Sequence, residues 1–114
     1  MGIQEIAIMS IPENVKIGAL DYAVTIVPDS ASALSPNNAA AVCNDEQTIT
    51  ILQAHPQQMR ISLLHECIHA MLYSLGYTNH NEQLVDGLAN QLYALIVNNP
   101  EMFSQKQPET ESRL

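Results

Sequence analysis

The strongest constraint in this chain is a five-residue stretch, His65-Glu66-Cys67-Ile68-His69, in which two histidines stand four positions apart. On an α-helix, residues at i and i+4 lie one above the other on the same face, so His65 and His69 are placed to grip one metal ion. Glu66 follows the first histidine directly, where its carboxylate can reach a metal-bound water without itself being a ligand. Two neutral imidazoles suit zinc, and a free carboxylate beside them suits a general base. The flanking sequence supplies the helix. Pro56 fits a first turn and Gly76 fits a C-terminal stop. Between them Leu64, Cys67, Ile68, Met71, Leu72 and Leu75 form an apolar stripe at helical spacing. The histidines fall at the edge of that stripe, partly inward and partly facing a cleft.

Two histidines bind weakly and fix no geometry, and a catalytic zinc site ordinarily has three protein ligands and one open position. A second helix is expected over residues 82–97, ended by Asn98-Asn99-Pro100, with Leu84, Val85, Leu88, Leu92, Leu95 and Ile96 as its apolar face. Its first turns carry Glu82 and Asp86, again four apart. Both carboxylates can turn toward the first helix. Glu82 is the leading third ligand, with Asp86 accepting the N–H of a ligating imidazole and so fixing its tautomer. His80, in the connection between the helices, and Asp86 itself are the alternative ligands. The plain alternative for Glu82 and Asp86 is a pair of solvated charges on an exposed face. His55, before Pro56, reads as a surface residue at the helix start. Tyr73, Tyr77 and Tyr93 lie near enough to stabilise an oxyanion, although a packing role is the simpler reading of each.

Upstream the pattern changes to strands. Residues 15–17, a turn at 18–21 and the β-branched run 22–27 form a hairpin. Residues 28–39 are small and turn-prone and read as a loop with room for one helical turn. A short strand over Ala40–Cys43 and a turn at 44–47 lead to Thr48–Leu52, where Thr and Ile alternate at period two. The expected fold is α+β: a small antiparallel sheet of three to four strands packed on two main helices, a minimal zincin-like arrangement. One domain is expected over residues 1–103, followed by a flexible polar tail over 104–114.

Composition narrows the partners. The 114 residues carry 46% hydrophobic residues, no Trp and one Phe, so a modest core must be built from aliphatic side chains. Four Lys and Arg stand against twelve Asp and Glu, a net charge of −8 that argues against nucleic acid and anionic membrane. Residues 1–11 lack the basic start and cleavage pattern of a signal peptide, Ile6 stands where a myristoylation signal wants Ser or Thr, and no apolar run approaches a membrane span. A cytoplasmic location is the expectation. Cys43 and Cys67 fit it as unpaired, buried filler, with Cys43 an inhibitory zinc ligand only at a stretch.

His65-Glu66-x-x-His69 followed by Glu82 and Asp86 resembles the gluzincin metallopeptidases, the thermolysin-like group. In size and layout the chain looks most like the minimal gluzincins and the small HEXXH metallopeptidase-like proteins of phages and bacterial regulatory systems. The resemblance spans roughly residues 12–103, with only the metal motifs specific. It implies Zn2+ held by His65, His69 and Glu82, an Asp86 that orients a ligating histidine, and Glu66 as the catalytic base of peptide-bond hydrolysis. The substrate would be a peptide or protein, paired along the Thr48–Leu52 strand if that strand forms the sheet edge beside the cleft. The chain departs from the larger enzymes in lacking the C-terminal domain that supplies a stabilising His or Tyr. A non-catalytic zinc-binding regulatory or protein-interaction module is the second expectation, and it would have no use for Glu66.

Overall fold

The computed structural model describes residues 10–29 and 38–104. The loop core at 30–37 and the polar tail beyond Ser104 lie outside the described residues. The elements run β1 (Asn14–Ile17), β2 (Leu20–Val27), β3 (Ala40–Cys43), β4 (Thr48–Leu52), α1 (Pro56–Ser74) and α2 (Glu82–Asn98), closed by one 3-10 turn over Pro100–Met102. This is the α+β class expected from the sequence: a four-stranded sheet against two helices. Among the described residues no helix is long and apolar enough to cross a membrane.

The sheet order is β1-β2-β4-β3. Its outer pairs are antiparallel, but the central pair, β2 with β4, is parallel, with Ala23 opposite Thr48 and Val27 opposite Leu52. The sheet is therefore mixed and not wholly antiparallel. After β2 the chain passes to the far edge, lays down β3 there, and turns back so that β4 enters between β3 and β2. The physical gain lies in β4. Ile49 and Ile51 are wholly buried, and a central strand lets them sit beneath α1 while both backbone edges of β4 stay hydrogen-bonded. Thr48–Leu52 is consequently not the free edge. The edges are β1 and β3, and the one beside the cleft is β3.

Gly18 and Ala19 close the β1–β2 hairpin, with Gly18 at φ +60°. An added Cβ at Gly18 would lie 2.7 Å from Ser74 Oγ at the end of α1, so glycine there serves both the turn and the approach of the helix.

Helix α1 starts as expected. His55 is the N-cap, its Nδ1 accepting the Gln57 N–H at 3.1 Å, and Pro56 occupies the first turn. It stops as expected too. Gly76 adopts φ +97°, and the Gly76 and Tyr77 N–H groups return to the Tyr73 and Leu72 carbonyls at 2.9 Å each. This is the crossed pair of bonds with which a left-handed glycine ends a helix.

Between those ends α1 has three working faces. Met59, Leu63, Cys67 and Ala70 pack on Ile17, Tyr22, Ile49 and Ile51 of the sheet. Ile61, Leu64, Ile68 and Leu72 pack on Val85 and Ala89 of α2. The third face, with Ser62, His65, Glu66, His69 and Tyr73, lines a cleft. Two of the six stripe positions expected inside are out. Met71 and Leu75 are exposed, because neither the sheet nor α2 covers that side of the last turn. On α2 the expected apolar face is likewise narrower. Val85, Ala89 and Tyr93 are buried at four-residue spacing, while Leu84, Leu88 and Leu95 are exposed, since α2 has only α1 to lean on. Cys67 is buried but Cys43, at the end of the edge strand, is exposed, and both are free thiols.

Candidate metal centre

Asn81 caps α2, its side-chain oxygen accepting the Leu84 N–H at 3.0 Å, and so places Glu82 at the first turn facing α1. The Glu82 carboxylate spans two histidines. Oε1 lies 2.9 Å from His65 Nε2 and Oε2 lies 2.8 Å from His69 Nε2. One ligand atom from each of His65, His69 and Glu82 falls within 4.8 Å of the others. These are the three residues the spacing singled out, and among the described residues no fourth donor joins the group.

The fit to zinc can be tested on these distances. Bonds of about 2.0–2.1 Å in a tetrahedron put neighbouring donor atoms about 3.3 Å apart. The two carboxylate–imidazole gaps, each to a different oxygen, are somewhat shorter, as befits a carboxylate hydrogen-bonded to both imidazoles, and one donor atom from each of the three residues lies within 4.8 Å of the others. A small movement of the carboxylate is needed to bring one oxygen to that spacing from both nitrogens. Glu82 has the freedom to make it, with 70% of its side chain exposed, while the two histidines are held at 18% and 11%. Two imidazole nitrogens and one carboxylate oxygen also match the donor set of catalytic zinc. The residues fit the ion.

Asp86 stands where a supporting carboxylate belongs. Its Oδ1 is 3.5 Å from His65 Nδ1, facing the nitrogen that Glu82 does not touch, at a distance longer than a formed hydrogen bond. His80 is not part of the donor group. It lies behind His69, Nδ1 to Nδ1 at 2.7 Å, with its Nε2 donating to the Tyr77 carbonyl at 2.7 Å. Burial lowers the pKa of His69, opposed by the charge of Glu82 and assisted by His65 and His80. The neutral imidazole that a metal requires is thereby favoured.

Glu66 lies among buried side chains. Burial lifts its pKa from the ordinary 4.5 to about 7, with the Glu82 charge adding to the rise and His65 and the Val42 N–H opposing it. The bond from Val42 ties the carboxylate to strand β3. No side-chain pattern in the sequence could signal this contact, because the donor is backbone. The neighbouring Cys67 thiol is pushed up to about 11 by burial and by the Glu66 charge, which leaves it inert. Tyr73 lines the cleft and packs its ring 4.5 Å from that of His80. Tyr93 is buried instead, its hydroxyl accepting from Arg60 Nη1 at 3.3 Å, so it is a packing residue. The cleft encloses about 540 Å³ between β3, α1 and the start of α2.

No family model matches the chain, and neither a curated protein nor a solved structure matches it.

Proposed function

We propose that this protein is a zinc-dependent metallopeptidase of gluzincin type. The observation that carries the reading is the convergence of Glu82, from a separate helix, on the Nε2 atoms of both His65 and His69 at 2.8–2.9 Å, with Glu66 buried beside them. His65, His69 and Glu82 would hold the ion. When bound, zinc supplies a Lewis acid that polarises a carbonyl and lowers the pKa of a water.

The chain's own residues account for the rest. Glu66, poised near neutrality by burial, takes a proton from water as oxygen attacks the scissile carbonyl carbon. It returns that proton to the amine nitrogen as the C–N bond breaks. Strand β3 offers a place for the peptide. The Leu52 N–H bonds the Ala39 carbonyl, and in the antiparallel β3–β4 ladder this directs the backbone groups of Ala41 and Cys43 inward and those of Ala40 and Val42 outward. The Val42 N–H on Glu66 agrees with that parity. An extended substrate can therefore pair with Ala40 beside the base. The described cleft walls carry Glu66, Glu82 and Asp86 and neither Lys nor Arg, which favours neutral or basic peptides.

The competing reading, a non-catalytic zinc module, calls for a fourth protein donor and leaves Glu66 without a role. Three convergent donors favour the enzyme. Metal analysis followed by peptide cleavage with the wild-type and Glu66→Gln proteins separates the two. Zinc bound by both and cleavage only by the wild type is expected. Cleavage retained by Glu66→Gln overturns the role of Glu66, and zinc binding with no cleavage by either supports the module.

A further inference from the structure

Sequence spacing offers His80 as a rival ligand, but the geometry gives it a different role, and we infer that His80 is a positioning residue that selects the tautomer of His69. The inference rests on the metal-centre reading above and concerns a residue outside its donor set.

Donors and acceptors can be counted along one chain of atoms. The Tyr77 carbonyl can only accept, so the His80 Nε2 at 2.7 Å from it must carry a proton. In a neutral His80 that leaves Nδ1 as a lone-pair acceptor. The atom facing it at 2.7 Å is His69 Nδ1, which must then be the donor. With Nδ1–H so fixed, the proton between His69 Nε2 and Glu82 Oε2, 2.8 Å apart, is the one an ion would displace, leaving the Nε2 lone pair to a metal. Each choice forces the next. A backbone carbonyl thus dictates which nitrogen of His69 is presented to a metal, through an intervening imidazole.

The starting point of the chain is itself fixed. The Tyr77 backbone is held by its N–H on the Leu72 carbonyl, within the turn that Gly76 makes possible at φ +97°. The His80 ring lies nearly parallel to that of His69, planes 18° apart and centroids 4.9 Å apart, the separation of two rings joined edge to edge through Nδ1, and the Tyr73 ring centroid lies 4.5 Å from that of His80. The stop of α1 and the connection to α2 therefore orient the metal site as well as joining the helices. His65 has Asp86 at the matching nitrogen at 3.5 Å, so each histidine has its own partner, one a carboxylate and one an imidazole.

The test is zinc affinity of the full chain, by competition with a chromophoric chelator, for the wild type and for His80→Ala, His80→Asn and His69→Ala. Nitrogen-15 NMR of the metal-free protein reads the His69 tautomer in parallel. His80→Ala is expected to weaken zinc binding by about 10–100-fold, the usual loss for an outer partner, and less than His69→Ala does. His80→Asn keeps an acceptor near the Nδ1 position and is expected to recover most of the affinity. His69 Nδ1 should read as protonated in the wild type and as unprotonated in His80→Ala, where Glu82 keeps the proton at Nε2. Unchanged affinity in His80→Ala overturns the inference, as does a loss matching His69→Ala, which would make His80 a ligand. Failure of His80→Asn to recover affinity, despite a wild-type melting curve, overturns it as well. A wild type that binds no zinc overturns the metal-centre reading and this inference with it.

Discussion

Glu82 and His69 stand thirteen residues apart in the chain, yet Glu82 Oε2 lies 2.8 Å from His69 Nε2. The contact joins two helices that pack through Ile68, Val85 and Ala89. A largely exposed carboxylate held against a nearly buried imidazole is a poor stabiliser of the fold but is well placed as a candidate ligand.

That contrast makes Glu82→Gln informative. Surface ion pairs contribute about 0–1 kcal/mol, so the metal-free variant should melt close to the wild type. Zinc affinity should fall by at least the 10–100-fold that outer partners command. Calorimetric melting and chelator competition, run on the same samples, check the two halves. A large loss of metal-free stability with unchanged affinity would assign Glu82 a structural role.

Glu66 predicts a pH dependence of the metal-free protein. Its folded pKa of about 7 lies above the ordinary 4.5, so between those values the folded state holds a proton that the unfolded chain has released. Its contribution to stability is therefore intact below pH 4.5 and is lost as pH rises toward and through 7. Glu66→Gln removes the titration. Denaturant melts should give the variant little advantage at acidic pH and an advantage on the order of 3 kcal/mol once the wild type is fully ionised. A pH-independent difference would refute the burial argument.

Edge strand β3 supplies a test of substrate pairing. The Ala40 N–H points away from β4, so Ala40→Pro deletes an outward donor without breaking the ladder. Stability should change by about 1 kcal/mol or less, while kcat/KM on a peptide falls roughly tenfold for the lost hydrogen bond. Equal kcat/KM in the two proteins would remove Ala40 from the binding surface.

The central position of β4 sets the cost of opening the core. Ile51 is wholly buried between the sheet neighbours and α1. Ile51→Ala should cost about 2–5 kcal/mol in urea unfolding. A substitution at Leu84, which is exposed on α2, should stay within about 0.5 kcal/mol.

Much of this protein is legible without its structure because the relevant relations are local. Alternation at residues 48–51, the Pro56 and Gly76 signals, and the four-residue spacings of His65 with His69 and of Glu82 with Asp86 are all short-range. Backbone periodicity converts each of them directly into a strand, a helix end or a shared face. The α+β class follows from that alone. Long-range packing decided the rest. Alternating Thr and Ile mark a strand but carry no information about its neighbours, so the parallel β2–β4 pair and the edge position of β3 emerge only when the sheet assembles. Spacing left Glu82, His80 and Asp86 as rivals because the rotation of one helix about another is set by which side chains interlock. The packing of Ile68 against Val85 and Ala89 turned Glu82 onto the two Nε2 atoms, Asp86 toward His65 and His80 behind His69. The candidate donors were written in the sequence, and which of them converge was set by the way the two helices pack.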